Sequence, residues 1–200
     1  MGIFDGIEKK KASHNGGNFV KSGHYFSVLD RVKSGESSRG KGAFVAIEQR
    51  VLAALPDGDI PVDENFKLLS AEAWHRPGEN ITHLMMDKHE SFLGNFKAFA
   101  ANIGGVAEEE ITDKRCQEIT EGLFDGLFIE FKARTTKTRA GKPFTVISYI
   151  REVPAEEIKD SVSREVLDLV LGKGGIDKII AAESGDDDGE DDGEDGLPID

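Results

Sequence analysis

Cysteine is nearly absent from this 200-residue chain, which has Cys116 alone. A single thiol excludes an intrachain disulfide and a thiolate-rich metal cluster, and it accords with a reducing compartment. Long apolar runs are missing too, and no stretch reaches membrane-spanning length. The opening MGIFDGIEKKK lacks the order of a secretory signal, and Gly6 stands where a myristoylation signal has Ser or Thr. A cytoplasmic location is expected. Catalytic signatures are equally scarce. His14, His24, His75, His83 and His89 are scattered with no cysteine pair nearby, which speaks against zinc. Gly40-Lys41-Gly42 and Gly141-Lys142-Pro143 lack the spacing and the following hydroxyl of a phosphate-binding P-loop. No enzyme, metal or cofactor is expected.

What the chain does have is a polyanionic end. Residues 183–200, ESGDDDGEDDGEDGLPID, hold ten carboxylates and no Lys or Arg. So little apolar surface and so much like charge predict an extended, disordered tail. The whole chain carries −13 and this tail −10, which leaves −3 for residues 1–182. The body is therefore close to neutral, and local basic stretches within it can matter. The apolar tip Leu197-Pro198-Ile199, preceded by Asp191, Asp192 and Asp195, suits a docking peptide that meets a pocket with a basic rim.

Residues 1–18 read as a flexible, glycine-containing arm, able to reach a neighbouring copy in a homo-oligomer. From His24 the run HYFSVLDRVK alternates, with Phe26, Val28 and Val32 on one face and Tyr25, Ser27, Arg31 and Lys33 on the other. The polar loop SGESSRGKG leads to AFVAIEQRVL, in which Val45, Ile47 and Val51 share a face. Together they predict a long hairpin. Ile81–Met86 is a short third strand. Phe92, Phe96, Phe99 and Ile103 recur at helical spacing, and a second helical stretch covers about 108–120. Residues 123–134 and 144–153 repeat the hairpin design around TTKTRAGKP, and 155–182 reads as a carboxy-terminal helix through Ile158, Val162, Val166, Leu169 and Val170. The expected fold is mainly β with helices (α+β): an OB-fold-like, five-stranded Greek-key barrel over 19–154, followed by that helix and the tail.

Charge is partitioned within this plan. Between Phe131 and Arg151 stand Lys132, Arg134, Lys137, Arg139, Lys142 and Arg151, with no carboxylate. The first loop region carries Arg31, Lys33, Arg39 and Lys41 against Glu36 alone. Cations at both hairpin tips would track phosphates, and Tyr25, Phe44, Phe128, Phe144 and Tyr149 supply faces on which unstacked bases can lie. A solvated turn is the bland reading of either loop, and core packing the bland reading of each strand aromatic.

The segments FVKSGHYFSVLDRVKSGESSRGKGAFVAIEQRVL (19–52), DKHESFLGNFKAFAANIGGV (87–106) and LFIEFKARTTKTRAGKPFTVISYIREV (127–153), with the acidic tail, resemble the single-stranded DNA-binding proteins of bacteriophages. The resemblance implies an OB-fold core that coats single-stranded DNA in replication and recombination. It also implies a tail that recruits replication or recombination proteins and competes with DNA. The tail tip resembles that of bacterial single-stranded DNA-binding proteins, but those end in an aromatic residue and this chain ends Ile199-Asp200. Rival readings are a viral structural or protein-interaction module, a DNA mimic and a DNA-processing enzyme.

Overall fold

The computed structural model describes residue 4 and residues 20–36, 42–63, 67–70, 73–87 and 89–184. The acidic tail from residue 185 on, the arm except Phe4, and the predicted contacts Arg39, Lys41, Asp191, Asp192, Asp195, Leu197, Pro198 and Ile199 lie outside the described residues; Glu183 and Ser184, expected in the disordered tail, end a helix instead. The first two β-rich runs form β1 (Gly23–Glu36) and β2 (Ala43–Leu55), antiparallel from His24 opposite Leu55 to Glu36 opposite Ala43. A shorter strand, β3 (Asn80–Met86), pairs with β2, and β4 (Phe128–Lys137) and β5 (Pro143–Glu152) form the second hairpin. All pairings are antiparallel, in the order β3-β2-β1-β4-β5. The protein is thus α+β, built on an open five-stranded sheet.

Joining β3 to β5 would turn this order into a closed Greek-key barrel, but among the described residues no ladder joins them. The space between these two strands is taken by α1 (Phe92–Gly104), which packs on both. Its Phe92, Phe96, Phe99 and Ile103 are all buried, as their spacing predicts. Asn102 Nδ2 donates to the Tyr149 carbonyl at 2.8 Å, tying α1 to β5. His83 of β3 stacks on Tyr149 of β5 with ring centroids 5.8 Å apart, and its Nδ1 lies 3.1 Å from the phenol oxygen. Side chains and a helix thus bridge the two edge strands, and the sheet itself stays open. Phe4, within the segment expected to be a flexible arm, is buried and stacks on Phe96 at 4.9 Å.

The predicted faces of β1 need correction. Tyr25 and Leu29 point into the main core with Val45, Ile47, Val51 and the α1 aromatics, whereas Phe26 and Val28 point to the opposite side. A register shift between Leu29 and Arg31 then returns Val32 to the main core. One extra residue in the ladder reverses which positions face inward. Both faces of β1 are therefore buried from Gly23 to Leu29, Tyr25 and Ser27 included, while Asp30 and Arg31 beyond them are exposed.

The second face is covered by the carboxy-terminal segment, which forms three helices where one was expected. These are α3 (Ala155–Ser161), α4 (Arg164–Leu171) and α5 (Gly175–Ser184), following the short α2 (Asp113–Glu118). The break falls at Val162 and Ser163, both extended, and again at Gly172. It re-phases the apolar stripe: Leu167 and Val170 are buried beside Phe26, Val28, Leu52 and Phe128, while Leu169 is exposed. The expected helix over 108–120 is likewise subdivided, into a 3-10 turn, α2 with Thr112 as its cap, and a π turn to Leu123. No helix among the described residues is long and apolar enough to cross a membrane.

A polar network lies inside the main core. Ser27 Oγ donates to Gln49 Oε1 at 2.8 Å, and both residues are buried together with His83 and Tyr149. Burial pushes the His83 imidazole from 6.5 down to about 4, because a charge there would lose its hydration. Between those two values the unfolded chain binds a proton at this residue that the folded chain does not, so stability rises with pH across that window. The contribution is complete above the unfolded value and lost as pH falls toward 4, on the order of 3 kcal/mol in all. Urea unfolding of the wild type should lose stability from pH 6.5 to 4, and a His83→Phe/Tyr149→Phe pair should flatten that slope by about one proton. An unchanged slope in the pair would place the titration elsewhere.

Candidate nucleic-acid interface

Antiparallel pairing on both sides of β1 dictates where the basic tips lie. Glu36 opposite Ala43 marks the tip of the first hairpin, at the end of β1. Gly23 opposite Ala133 puts the outer half of β4, and with it the second tip, beside the start of β1. The two tips therefore extend from opposite ends of the sheet, and α3–α5 cover the face between them. A single groove joining both loops, as expected from their matching design, is not what the strands build.

The second tip is well defined. Thr138 N–H donates to the Lys142 carbonyl at 2.8 Å, Gly141 N–H to the Thr138 carbonyl at 2.9 Å, and Lys142 N–H to Thr138 Oγ1 at 3.1 Å. Gly141 sits at φ 77°, a left-handed conformation that a side chain would strain. This turn holds Arg139 and Lys142 in solvent, with Lys137 exposed at its base. On one side of the hairpin is an apolar groove of ≈ 850 Å³ where Phe144 meets Val20, Val62, Leu69 and Pro143. Thr135 and Thr145 line it too, and Ser22 Oγ lies 2.6 Å from Thr135 Oγ1. On the other side, alternation along β4 turns Lys132, Arg134 and Thr136 outward into a trough of ≈ 610 Å³ beside Ser148 and Ile150.

Space restores the carboxylates that the linear run lacked. Across the trough, the turn after β2 brings Asp57 Oδ2 to 3.2 Å from Lys132 Nζ and Asp59 Oδ2 to 3.9 Å from Arg134 Nε. Arg151 is fully engaged, with Glu130 at 2.7 Å and with Glu157 through two contacts of 2.8 and 2.5 Å. These hydrogen bonds, Glu157's first, raise the Arg151 guanidinium further above its ordinary value. On the first hairpin, Lys33 pairs with Glu48, and Arg31 is exposed opposite Glu48 in the ladder.

The stacking candidates divide sharply. Tyr25, Phe128 and Tyr149 are only 0, 2 and 3% exposed and lie in the cores. Tyr25 stacks on Phe131 at 5.2 Å and donates to the Ser22 carbonyl at 2.7 Å, and burial raises its phenol to about 12. None of the three offers a ring face to a base, because Tyr25 and Tyr149 lie in the core that includes α1 and Phe128 lies in the core under α3–α5. Phe44 and Phe144 remain partly exposed, each near a hairpin tip.

One constellation was not legible in the sequence. His24 Nδ1 lies 2.6 Å from Asp57 Oδ1, and His24 Nε2 lies 2.7 Å from Glu130 Oε1. The hydrogen bond from His24, with Lys132 second, holds the Asp57 carboxyl below the usual range. Residues 24, 57 and 130 come together solely through strand register; the sequence carried no spacing signal for them. Among the described residues, no group of three or more His, Cys, Asp or Glu is arranged to hold a metal.

No protein-family model matches the chain, and no curated protein matches it.

Gly58 fixes the acidic turn. Its N–H donates to the Leu55 carbonyl at 3.1 Å, and a Cβ there would collide with the backbone N of His24. Trp74 Nε1 donates to the Asp59 carbonyl at 2.9 Å and holds the far side. Gly58→Ala should push the turn off β1, at a cost of about 1–3 kcal/mol in chemical denaturation. Stability within 0.5 kcal/mol of wild type, roughly the range of a surface change, would contradict this packing.

Proposed function

We propose that the protein binds single-stranded DNA without sequence preference, coating and protecting exposed strands in replication and recombination. The observation that carries the reading is the β4–β5 hairpin, whose ordered basic tip separates an apolar groove containing Phe144 from a trough containing Lys132 and Arg134. A single strand needs cations for its phosphates and an apolar or aromatic surface for its bases, side by side. Arg139, Lys142 and Lys137 would take phosphates at the tip, and Phe144 would take a base. Arg31, Lys33, Arg39, Lys41 and Phe44 at the opposite end would extend the path on a longer strand. The strand order, which is that of an OB-type sheet left open between β3 and β5, supports the same reading, as does the resemblance in layout to phage single-stranded DNA-binding proteins. The acidic tail, ending Leu197-Pro198-Ile199-Asp200, would recruit replication or recombination proteins and compete with DNA for the basic tips.

A second reading is a protein-interaction module without nucleic-acid binding. It is favoured by the exposed Ile60, Leu68 and Leu69 on the connection between β2 and β3. These side chains border the Phe144 groove or lie close to it in the chain, and apolar residues so placed suit a protein partner.

Fluorescence titration of a poly-dT strand, with a matched duplex as control, separates the two. Single-strand binding should fall with salt at a log–log slope of about −0.7 per phosphate contact. Phe144→Ala should cost about 1–3 kcal/mol of binding, and Arg139→Ala/Lys142→Ala should flatten the salt dependence. No binding, or equal binding to duplex, would favour the protein-interaction reading.

A further inference from the structure

We propose that Asp57 and Asp59 are an intramolecular stand-in for nucleic-acid phosphates: they occupy Lys132 and Arg134 in the free protein and yield them to the strand on binding. This rests on the single-strand-binding reading and specifies how that site is regulated.

Placement is the first argument. The two carboxylates face the two cations across the trough, one against each, at 3.2 and 3.9 Å. They reach into the space that the sugar-phosphate chain of a strand lying along outer β4 would occupy. Preorganisation is the second. The turn cannot drift away, because Gly58 abuts the His24 backbone, His24 Nδ1 holds Asp57 at 2.6 Å, and Trp74 holds the Asp59 carbonyl at 2.9 Å. A flexible acidic loop would be a chance neighbour; this one is pinned beside the cations.

Strength is the third argument. The Lys132 and Asp57 side chains are 51 and 61% exposed, and those of Arg134 and Asp59 80 and 60%. Pairs this exposed are held weakly, so a polyanion that also engages the hairpin tip can displace them. Mononucleotides and small anions, which gain nothing from the tip, would meet a trough close to electrical neutrality. The arrangement therefore selects for length: short anions are turned away and a continuous strand is admitted. It also mutes the salt response, because two of the cations at this end are already neutralised before the strand arrives.

Asp59 gives the cleanest test, since among the described residues its carboxylate pairs with Arg134 alone, whereas Asp57 also braces His24. The full chain is titrated into fluorescent poly-dT as wild type, Asp59→Asn, Asp57→Asn/Asp59→Asn, and Glu165→Gln as a control for simple loss of negative charge. Asp59→Asn should bind about two- to fivefold more tightly, the fold-change equivalent to losing one exposed pair. Glu165→Gln, on α4 and outside the lining of the trough, should stay within about twofold of wild type. The double variant should steepen the log–log salt slope by up to about 1.4, two phosphate contacts' worth. Adding Lys132→Ala/Arg134→Ala should erase both gains. Asp59→Asn binding no more tightly than Glu165→Gln, while Phe144→Ala still weakens binding, overturns the stand-in and leaves the single-strand reading intact. No poly-dT binding by any of these proteins, double variant included, overturns both.

Discussion

Everything in this fold hangs on β1 being shared. It pairs with β2 along its full length and with β4 over Gly23–Val28, and its side chains are buried on both faces through that region. Tyr25 and Leu29 anchor the core that includes α1; Phe26 and Val28 anchor the one formed with α3–α5. Neither hairpin could bury its apolar residues alone, since an isolated two-stranded unit is marginal in water. Joined through β1, they present one sheet with two covered faces. That single constraint also sends the two hairpin tips to opposite ends, because a strand antiparallel to both neighbours has one neighbour's turn at each end.

Electrostatics follows from the same pairing. Read along the chain, the β4–β5 segment is a run of cations with no acid. In space, register sets His24 opposite Lys132 on one side and Leu55 on the other, and the turn that follows Leu55 brings Asp57 and Asp59 over β4. Glu130, inside the strand, and Glu157, on α3, close on Arg151. Among the described residues, Arg139 and Lys142 at the tip take part in none of these pairs. The polyanion-binding reading therefore narrows from a pair of matched loops to one hairpin with two unlike sides, one apolar and one charged.

Much of the secondary structure was legible because its signals are local. Alternation located the four long strands, and the Phe92-Phe96-Phe99-Ile103 spacing located α1, since both depend only on which residues neighbour each other within an element. Errors arose where one residue changes the phase. The bulge after Leu29 moved Val32 to the other face, and the break at Val162-Ser163 exchanged Leu169 for Leu167 in the core. Neither the bulge nor the break has a composition strong enough to announce itself. The barrel expected from strand order is a third instance, because order does not say whether the last two edges hydrogen-bond or are spanned by a helix.

By itself, then, the sequence determined the element types, the pairing of neighbouring strands into hairpins, the aromatic face of α1 and the separation of a near-neutral body from a polyanionic end. These follow from periodicity and composition, which act over a few residues. Only the tertiary structure decided which aromatics are accessible and which cations are already paired. Tyr25, Phe128 and Tyr149 looked no different from Phe44 and Phe144 until α1 covered one face of the sheet over the two tyrosines and α3–α5 covered the other over Phe128. Lys132 and Arg134 looked as available as Arg139 and Lys142 until a turn some 75 residues earlier in the chain folded over them. Burial and charge pairing are properties of neighbours in space, and chain order does not encode those neighbours in any local pattern.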